Sequence, residues 1–482
     1  MPNHTPDESA PLLQNGHEHQ ERQLLKIGKE DDAHPRAWSK CEKRTNIAVI
    51  ASMSILSPLA SSMFAPGIEQ IAKSLHASPN GVIGCQTGFV VMLGIGPLLL
   101  APLSETFGRK PLYLTCFTIF TLLQIPTALA KSLPMLISLR TIAGFFGSVG
   151  IANGGGTISD MYGPSERADI FGWYLLGPLL GPTIGPLLGA VILNKLDWPW
   201  LFWTLLVICA GAVLGAFFFL RETYVPAILS KRKRELEASA SQKYYFEGED
   251  VRPLRTKLAQ SVQRPLLILF TQPIVITMAL YQALIFAITY SLYTQFQSIY
   301  GEEYGFSTLQ VGLTYLAPGV GFLVAVWFLV PRIGMIYNSL TKKHNNTPKA
   351  EYRLPLANIG SLLIPLSLFA FAWTTEHHTH VALPMAATFF YGIGQVAIFN
   401  AVQNYYIDAF EKYAASAIAA GSLFRSVIGG VVPVFTGGLL DHVGLGWGFS
   451  VFGFISIALA PSPVLFYMYG ERLRERFAVQ LD

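Results

Sequence analysis

Two arginines stand inside stretches that carry no other charge: Arg140, within Ser132 to Ser159, and Arg425, within Tyr413 to Leu440. An ionised side chain near the centre of a bilayer costs about 2.5 to 3.5 kcal/mol on insertion scales, so both ask for a functional explanation. At 1.5 Å per residue Arg140 lies roughly 10 Å into its stretch and Arg425 roughly 18 Å. Arg140 shares a face with Gly144 and Ser148, and snorkelling to the nearer interface competes with a functional role. Arg425, between Gly421 and Gly429, is too deep to snorkel. It either clamps buried carbonyls or a distant carboxylate, or it meets an anionic group in a cavity. No Asp or Glu lies inside any uncharged stretch; the nearest, Glu69, Asp160, Glu222, Asp408 and Asp441, sit at the ends. Stretches with two arginines and no carboxylate suit contact with neutral or anionic groups better than with polycations.

A second cluster is Glu105-Thr106-Phe107-Gly108-Arg109-Lys110, where a glycine that permits a tight turn separates an acid from two bases able to bridge neighbouring helix ends. A third is the run from Gly177 to Gly189, in which Gly177, Gly181, Gly185 and Gly189 recur every fourth residue and Pro178, Pro182 and Pro186 follow them. Such a stripe lets another backbone come close, and each proline frees a carbonyl or bends the helix. Polar residues inside the uncharged stretches, namely Gln86, Asn153, Tyr290, Gln395 and Asn400, are candidates for lining a cavity. Enzyme chemistry finds no footing: no histidine cluster, nucleophile elbow or metal-ligand spacing falls within the stretches. His377, His378 and His380 read as a solvated loop, and Cys41, Cys85, Cys116 and Cys209 show no close pairing, so neither metal nor cofactor is expected.

The elements that must position these residues follow from the distribution of charge. The chain has 482 residues, 51% hydrophobic and 13% charged, about half the charge of an ordinary soluble chain. Six uncharged runs, Thr45 to Ile68, Ala77 to Ser104, Pro111 to Ala130, Ser132 to Ser159, Ile170 to Asn194 and Trp198 to Leu220, precede a polar segment. Six more follow: Pro265 to Gly301, Tyr304 to Pro331, Leu354 to Thr375, Val381 to Ile407, Tyr413 to Leu440 and Val443 to Gly470. Each is long enough to cross a hydrocarbon core of about 30 Å as a helix. The expected class is an all-α membrane protein of twelve transmembrane helices in two six-helix halves. The halves are 44–220 and 265–470, joined by a cytoplasmic loop 221–264 and flanked by a disordered tail 1–43 and a short tail 471–482.

With both termini in the cytoplasm, 29 of the 34 Lys and Arg fall on the cytoplasmic side, as the positive-inside rule requires. Lys231-Arg232-Lys233-Arg234 then reads as a basic linker near anionic lipid. The sequons at Asn3 and Asn345 face the cytoplasm and stay unglycosylated. A net charge of +4 without a basic, aromatic-interleaved patch argues against a nucleic-acid partner. Glu8-Ser9-Ala10-Pro11-Leu12-Leu13 matches an acidic dileucine sorting pattern and keeps the vacuole open as an alternative to the plasma membrane.

Ala101 to Pro111 resembles the loop signature between helices 2 and 3 of the major facilitator superfamily, with Ala101, Glu105 and Thr106 in place of the usual Gly, Asp and basic residue. Gly177 to Gly189 resembles that family's helix-5 antiporter motif, and Arg140-x-x-x-Gly144-x-x-Gly147 its helix-4 motif. His34 to Ser39, Arg221 to Pro226, Glu351 to Pro355 and Tyr413 to Ala417 are similar to segments of the fungal twelve-helix drug:proton antiporters. The resemblance implies a major facilitator fold, alternating access around a central cavity, a loop that latches one conformation through Glu105, Gly108, Arg109 and Lys110, and proton coupling that involves Arg140. It implies export of drugs, secondary metabolites, organic acids or polyamines.

The expectation is a monomeric, proton-coupled exporter of a small neutral or anionic organic compound, with Asp160 or Glu222 taking the proton and Arg140 as relay partner. Uptake by symport is the main alternative, and a non-transporting nutrient receptor a lesser one.

Overall fold

The computed structural model describes residues 23–28, 31, 34–239, 243–247, 249, 252–410 and 413–477. The sequon at Asn3 and the dileucine-like stretch from Glu8 to Leu13 lie outside them.

The first membrane helix opens on a capping box: the Ser39 hydroxyl accepts from Glu42 N–H while the Glu42 carboxylate accepts from Ser39 N–H, which satisfies two backbone donors that a helix start leaves bare. It begins at Lys40, before the uncharged run does. The spans are α1 (Lys40–Ser74), α2 (Pro79–Phe107), α3 (Arg109–Ala128), α4 (Leu133–Met161), α5 (Pro164–Leu193), α6 (Pro199–Phe219), α7 (Pro273–Glu303), α8 (Thr308–Lys343), α9 (Ala357–Glu376) and α10 (Ala382–Ala409). Ser78, with Pro79 at the first helical position, caps α2, and Ser307 with Gln310 forms a second capping box at α8.

The last helical stretch, Ala414–Arg476, runs 63 residues, about 95 Å if straight and three times what a bilayer core needs. It is two spans. Gly444 breaks it with φ 79°, a conformation glycine adopts without a Cβ penalty. The halves of the stretch are α11 (414–443) and α12 (445–476). Beyond the break Trp447 packs on Trp373, Gly453 faces Phe369, and Arg474 reaches Glu351. So α12 runs antiparallel to α9, and the described residues hold twelve helices of membrane-crossing length.

Two hydrophobic cores fill the bundle. The buried members of one run from Ile50 to Leu220 and those of the other from Ile268 to Phe466, and a small third cluster of Phe322, Ala325 and Val396 is met by Leu179 of α5. The polar segment between them holds two helices, Val225–Ser239 and Leu254–Thr271. The uncharged run expected to open the second half at Pro265 therefore starts inside a linker helix, and α7 begins at Pro273. The N-terminal tail is also more than a disordered arm: Gln23–Leu24 pairs in parallel with Tyr244–Tyr245 of the linker, and Asp31 lies 3.5 Å from Arg232.

Candidate functional site

The loop between α2 and α3 is built around Gly108, whose φ of 101° ends one helix and starts the next. Glu222, just past α6, occupies the N-terminus of α3. Its carboxylate accepts from the backbone N–H groups of Arg109 at 2.9 Å and Lys110 at 3.0 Å, and from Thr223 and Tyr224 at 3.0 and 2.9 Å. A helix start offers unpaired N–H groups and positive potential, so an acid is the natural occupant. A Cβ at Gly108 would come within 2.6 Å of Glu222 Oε2. Glycine is required here twice, for its backbone and for the carboxylate beside it.

The buried Arg109 side chain turns inward over the Tyr224 ring. Its guanidinium donates to Ser104 Oγ, to Asn153 Oδ1 at 3.4 Å and to Asp160 Oδ2 at 3.4 Å. Asp160 also accepts from Thr223 Oγ at 3.2 Å. The ends of α2, α3, α4 and α6 are thus tied by one arginine and two acids.

Of the sequence candidates, the structure brings Gly108, Arg109, Asp160 and Glu222 together and adds Asn153, which was expected in a cavity. Glu105 does not join: it is exposed, and among the described residues it has no ion pair. Lys110 points its amine at Phe217 O, 3.5 Å away. The acid that matters to this loop comes from Glu222, more than a hundred residues on in sequence.

Arg140 is elsewhere. It is 1% exposed, donates to Ala60 O at 2.9 Å and sits among the rings of Phe64, Phe89 and Phe202 at 4.9, 4.3 and 5.8 Å. Full burial excludes snorkelling, and the cage answers its charge with π faces rather than a carboxylate. Its Nε and Nη1 have no partner. It touches neither Asp160 nor Glu222; the base beside those acids is Arg109.

The next residue after Ala60 carries one of the contacts between halves. Ser61 Oγ lies 2.9 Å from Tyr290 Oη, and Tyr290 stacks edge-on against Phe286. Arg425 sits over Phe286 at 5.1 Å and Phe399 at 5.3 Å and donates to Ser422 Oγ at 3.1 Å. No ion pair holds it among the described residues. Gln395 accepts from Thr289 at 3.0 Å, Asn400 turns its amide back to Val396 O, and Gln86 is buried with neither amide atom bonded. Phe286 and Phe399 were not foreseen, because aromatic residues are common in every run.

The glycine stripe of α5 packs inside its own half. A Cβ at Gly181 would meet Pro58 Cβ at 2.8 Å, and one at Gly185 would strike Leu59 O, so Gly177, Gly181, Gly185 and Gly189 lay α5 against α1. The opposite face carries Thr183, 3.2 Å from Tyr293 Oη in the other half. Pro178, Pro182 and Pro186 lie within the helix.

The halves meet from the middle of the bundle to the end away from Gly108: Ser61 with Tyr290, Thr183 with Tyr293, Thr87 Oγ donating to Gly430 O at 2.7 Å, and Asn80 beside Gly437. Among the described residues, no ion pair at the Gly108 end joins one half to the other. The second half repeats the arrangement of the first, with Arg353 at the start of α9 bound to Asp408 at the end of α10 at 2.7 Å, and Lys349 to Glu471 at 2.6 Å. Arg353 also lies 3.9 Å over the Tyr337 ring.

Comparison with known proteins agrees with this geometry. A family model described as Major Facilitator Superfamily matches residues 50–433. The MFS-type transporter tndD of Aspergillus flavipes is 38% identical, over 93% of this chain and 85% of its own. The efflux pump radE of Floropilus chiversii is 35% identical, over 94% and 85%. Among solved structures, the xylose transporter XylE of E. coli in a partially occluded inward-open conformation superposes with a TM-score of 0.63 at 14% identity, over 89% of this chain and 99% of its own. A bacterial homologue of the lysosomal transporter Spinster, inward-facing, gives 0.59 at 15%, over 92% and 100%. A twelve-helix bundle with two cores, ion-paired loops at one end and 38% identity to a fungal transporter has one reading: the chain belongs to the major facilitator superfamily and is a multi-pass secondary transporter, not an enzyme.

Proposed function

We propose that this transporter exports a small neutral or anionic organic compound, such as a secondary metabolite, an organic acid or a drug, by proton-coupled alternating access. The observation that carries the reading is Arg425: a guanidinium deep in the bundle, walled by Phe286 and Phe399 and without an ion-pair partner among the described residues. A cation so placed attracts an anionic or hydrogen-bond-accepting group, and its aromatic walls accept a flat apolar body. Gln395 and Asn400, on the helix that carries Phe399, add polar contacts, and Gln86 and Tyr290 complete the cavity set. That one relative is named an efflux pump favours the outward direction.

In this reading the termini and the Gly108 loop face the cytoplasm of a plasma-membrane protein working as a monomer, and the present arrangement is inward-facing. The vacuolar membrane is the alternative location. The proton acts at Asp160: its protonation removes the charge facing Arg109 and loosens the joint of α2, α3, α4 and α6, while Glu222 holds the start of α3. Arg140 keeps α1 and α4 in register beside the Ser61 contact. The α5 stripe fixes the packing that antiport needs.

The test uses vesicles of known sidedness and labelled anionic, neutral and cationic compounds. Accumulation of an anion in inside-out vesicles, driven by an acidic lumen and abolished by a protonophore, supports the proposal. Accumulation in right-side-out vesicles driven by external acid would make it an uptake symporter, and cation-only transport would remove Arg425 from the cargo path.

A further inference from the structure

The linker helix Leu254–Thr271 packs on both α2 and α11, one from each half. Its contact with α2 is specific: Ser261 Oγ donates to Leu98 O at 2.7 Å. That carbonyl needs a donor from outside its own helix. Pro102 lies within α2 four residues further on and has no N–H to give, so the turn that would satisfy Leu98 is missing. The Ser261 hydroxyl is also 2.8 Å from Leu258 O in its own helix. If the two helices part, the serine keeps a partner and only the Leu98 carbonyl is left bare.

The other end of the helix belongs to the second half. It leads through Gln272 directly into α7, and the Gln272 amide donates to Phe477 O, at the end of α12. Along the uncovered face, Arg255 and Gln263 give way to Leu267 and then to Phe270, which is 70% exposed. A face that passes from basic to apolar suits a helix lying along a membrane surface with one end dipping in.

We propose that this helix is a strap between the halves, anchored in the second and pinned to the first by the Ser261–Leu98 hydrogen bond, and that the pin holds only in the arrangement seen here, with the Asn80–Gly437 end closed. Rocking the halves apart at that end moves α2 relative to α7 and α12, so the strap must slip from Leu98. A bond made in one state only shifts the population toward that state by its net strength. The inference requires motion of the halves and is independent of cargo and coupling ion.

The test is disulfide formation between Asn80→Cys and Gly437→Cys in the full chain, in membranes, with the exposed Cys41 replaced by Ser. A Cβ at Gly437 would lie 3.0 Å from Asn80 Oδ1, so the pair reports the closed end. Ser261→Ala is expected to slow cross-linking about fivefold, the shift one hydrogen bond imposes, and Ser261→Thr to leave it unchanged. Pro102→Ala returns an N–H to Leu98 O, and in that background Ser261→Ala is expected to have no effect. An unchanged rate in Ser261→Ala alone, or equal slowing with and without Pro102, overturns the proposal.

Discussion

The carboxylate of Glu222 closes the start of α3 by accepting the backbone N–H of Arg109 at 2.9 Å, across 113 positions of sequence. This places the end of the sixth span on the loop between the second and third. Any movement of α6 is therefore transmitted to Gly108.

Glu222→Ala removes a helix cap that accepts four N–H bonds, and loss of such a cap costs about 1 to 2 kcal/mol. Thermal unfolding of the purified full chain in nanodiscs is expected to fall by a few degrees, with Glu222→Gln retaining part of the loss. A midpoint that stays at the wild-type value in Glu222→Ala would remove the capping role.

Gly108→Ala faces both a φ of 101° and the Glu222 oxygen 2.6 Å from the new methyl. The backbone term alone is on the order of 1 to 3 kcal/mol, because φ 101° with ψ 156° lies in a region that essentially only glycine adopts. Combining it with Glu222→Ala relieves the clash, so the double variant is expected to be less destabilised than the sum of the singles. Simple additivity in the same melts argues against the shared contact.

Arg109→Lys keeps a charge but loses the planar fork that reaches Ser104, Asn153 and Asp160 together. Transport is expected to drop at least tenfold at unchanged membrane abundance. Asp160→Asn is expected to cost little more in the Arg109→Lys background than it already has. Full transport by Arg109→Lys would show that charge alone suffices.

Arg140→Met replaces a caged cation with an apolar chain of similar length. The lost bond to Ala60 O and the lost ring contacts are opposed by relief of two unpartnered nitrogens, Nε and Nη1, so the melting temperature is expected to change little. Transport is expected to fail. A variant that transports normally would make Arg140 a packing residue only.

Arg425→Ala and Arg425→Lys separate charge from geometry. For an anionic cargo, Arg425→Ala is expected to abolish transport and Arg425→Lys to raise the half-saturating concentration about tenfold, since an ammonium cannot present the same flat donor face between Phe286 and Phe399. Equal activity of all three proteins would place the cargo elsewhere.

Much of this protein was legible in the sequence. Uncharged runs and the bias of Lys and Arg act locally, through the cost of moving charge into hydrocarbon, so the twelve crossings could be counted without knowing which helix touches which. The Gly108 loop was visible for the same reason, because its turn residues are consecutive.

The tertiary structure decided the partners. Glu222 rather than Glu105 serves the Gly108 loop, Asn153 joins Arg109, the α5 glycines press on α1, and Arg140 finds three rings in place of an acid. Each of these contacts spans dozens of residues or more and depends on how whole helices are rotated and stacked. Periodicity fixes which face of a helix is polar or small; only packing in three dimensions fixes what that face meets.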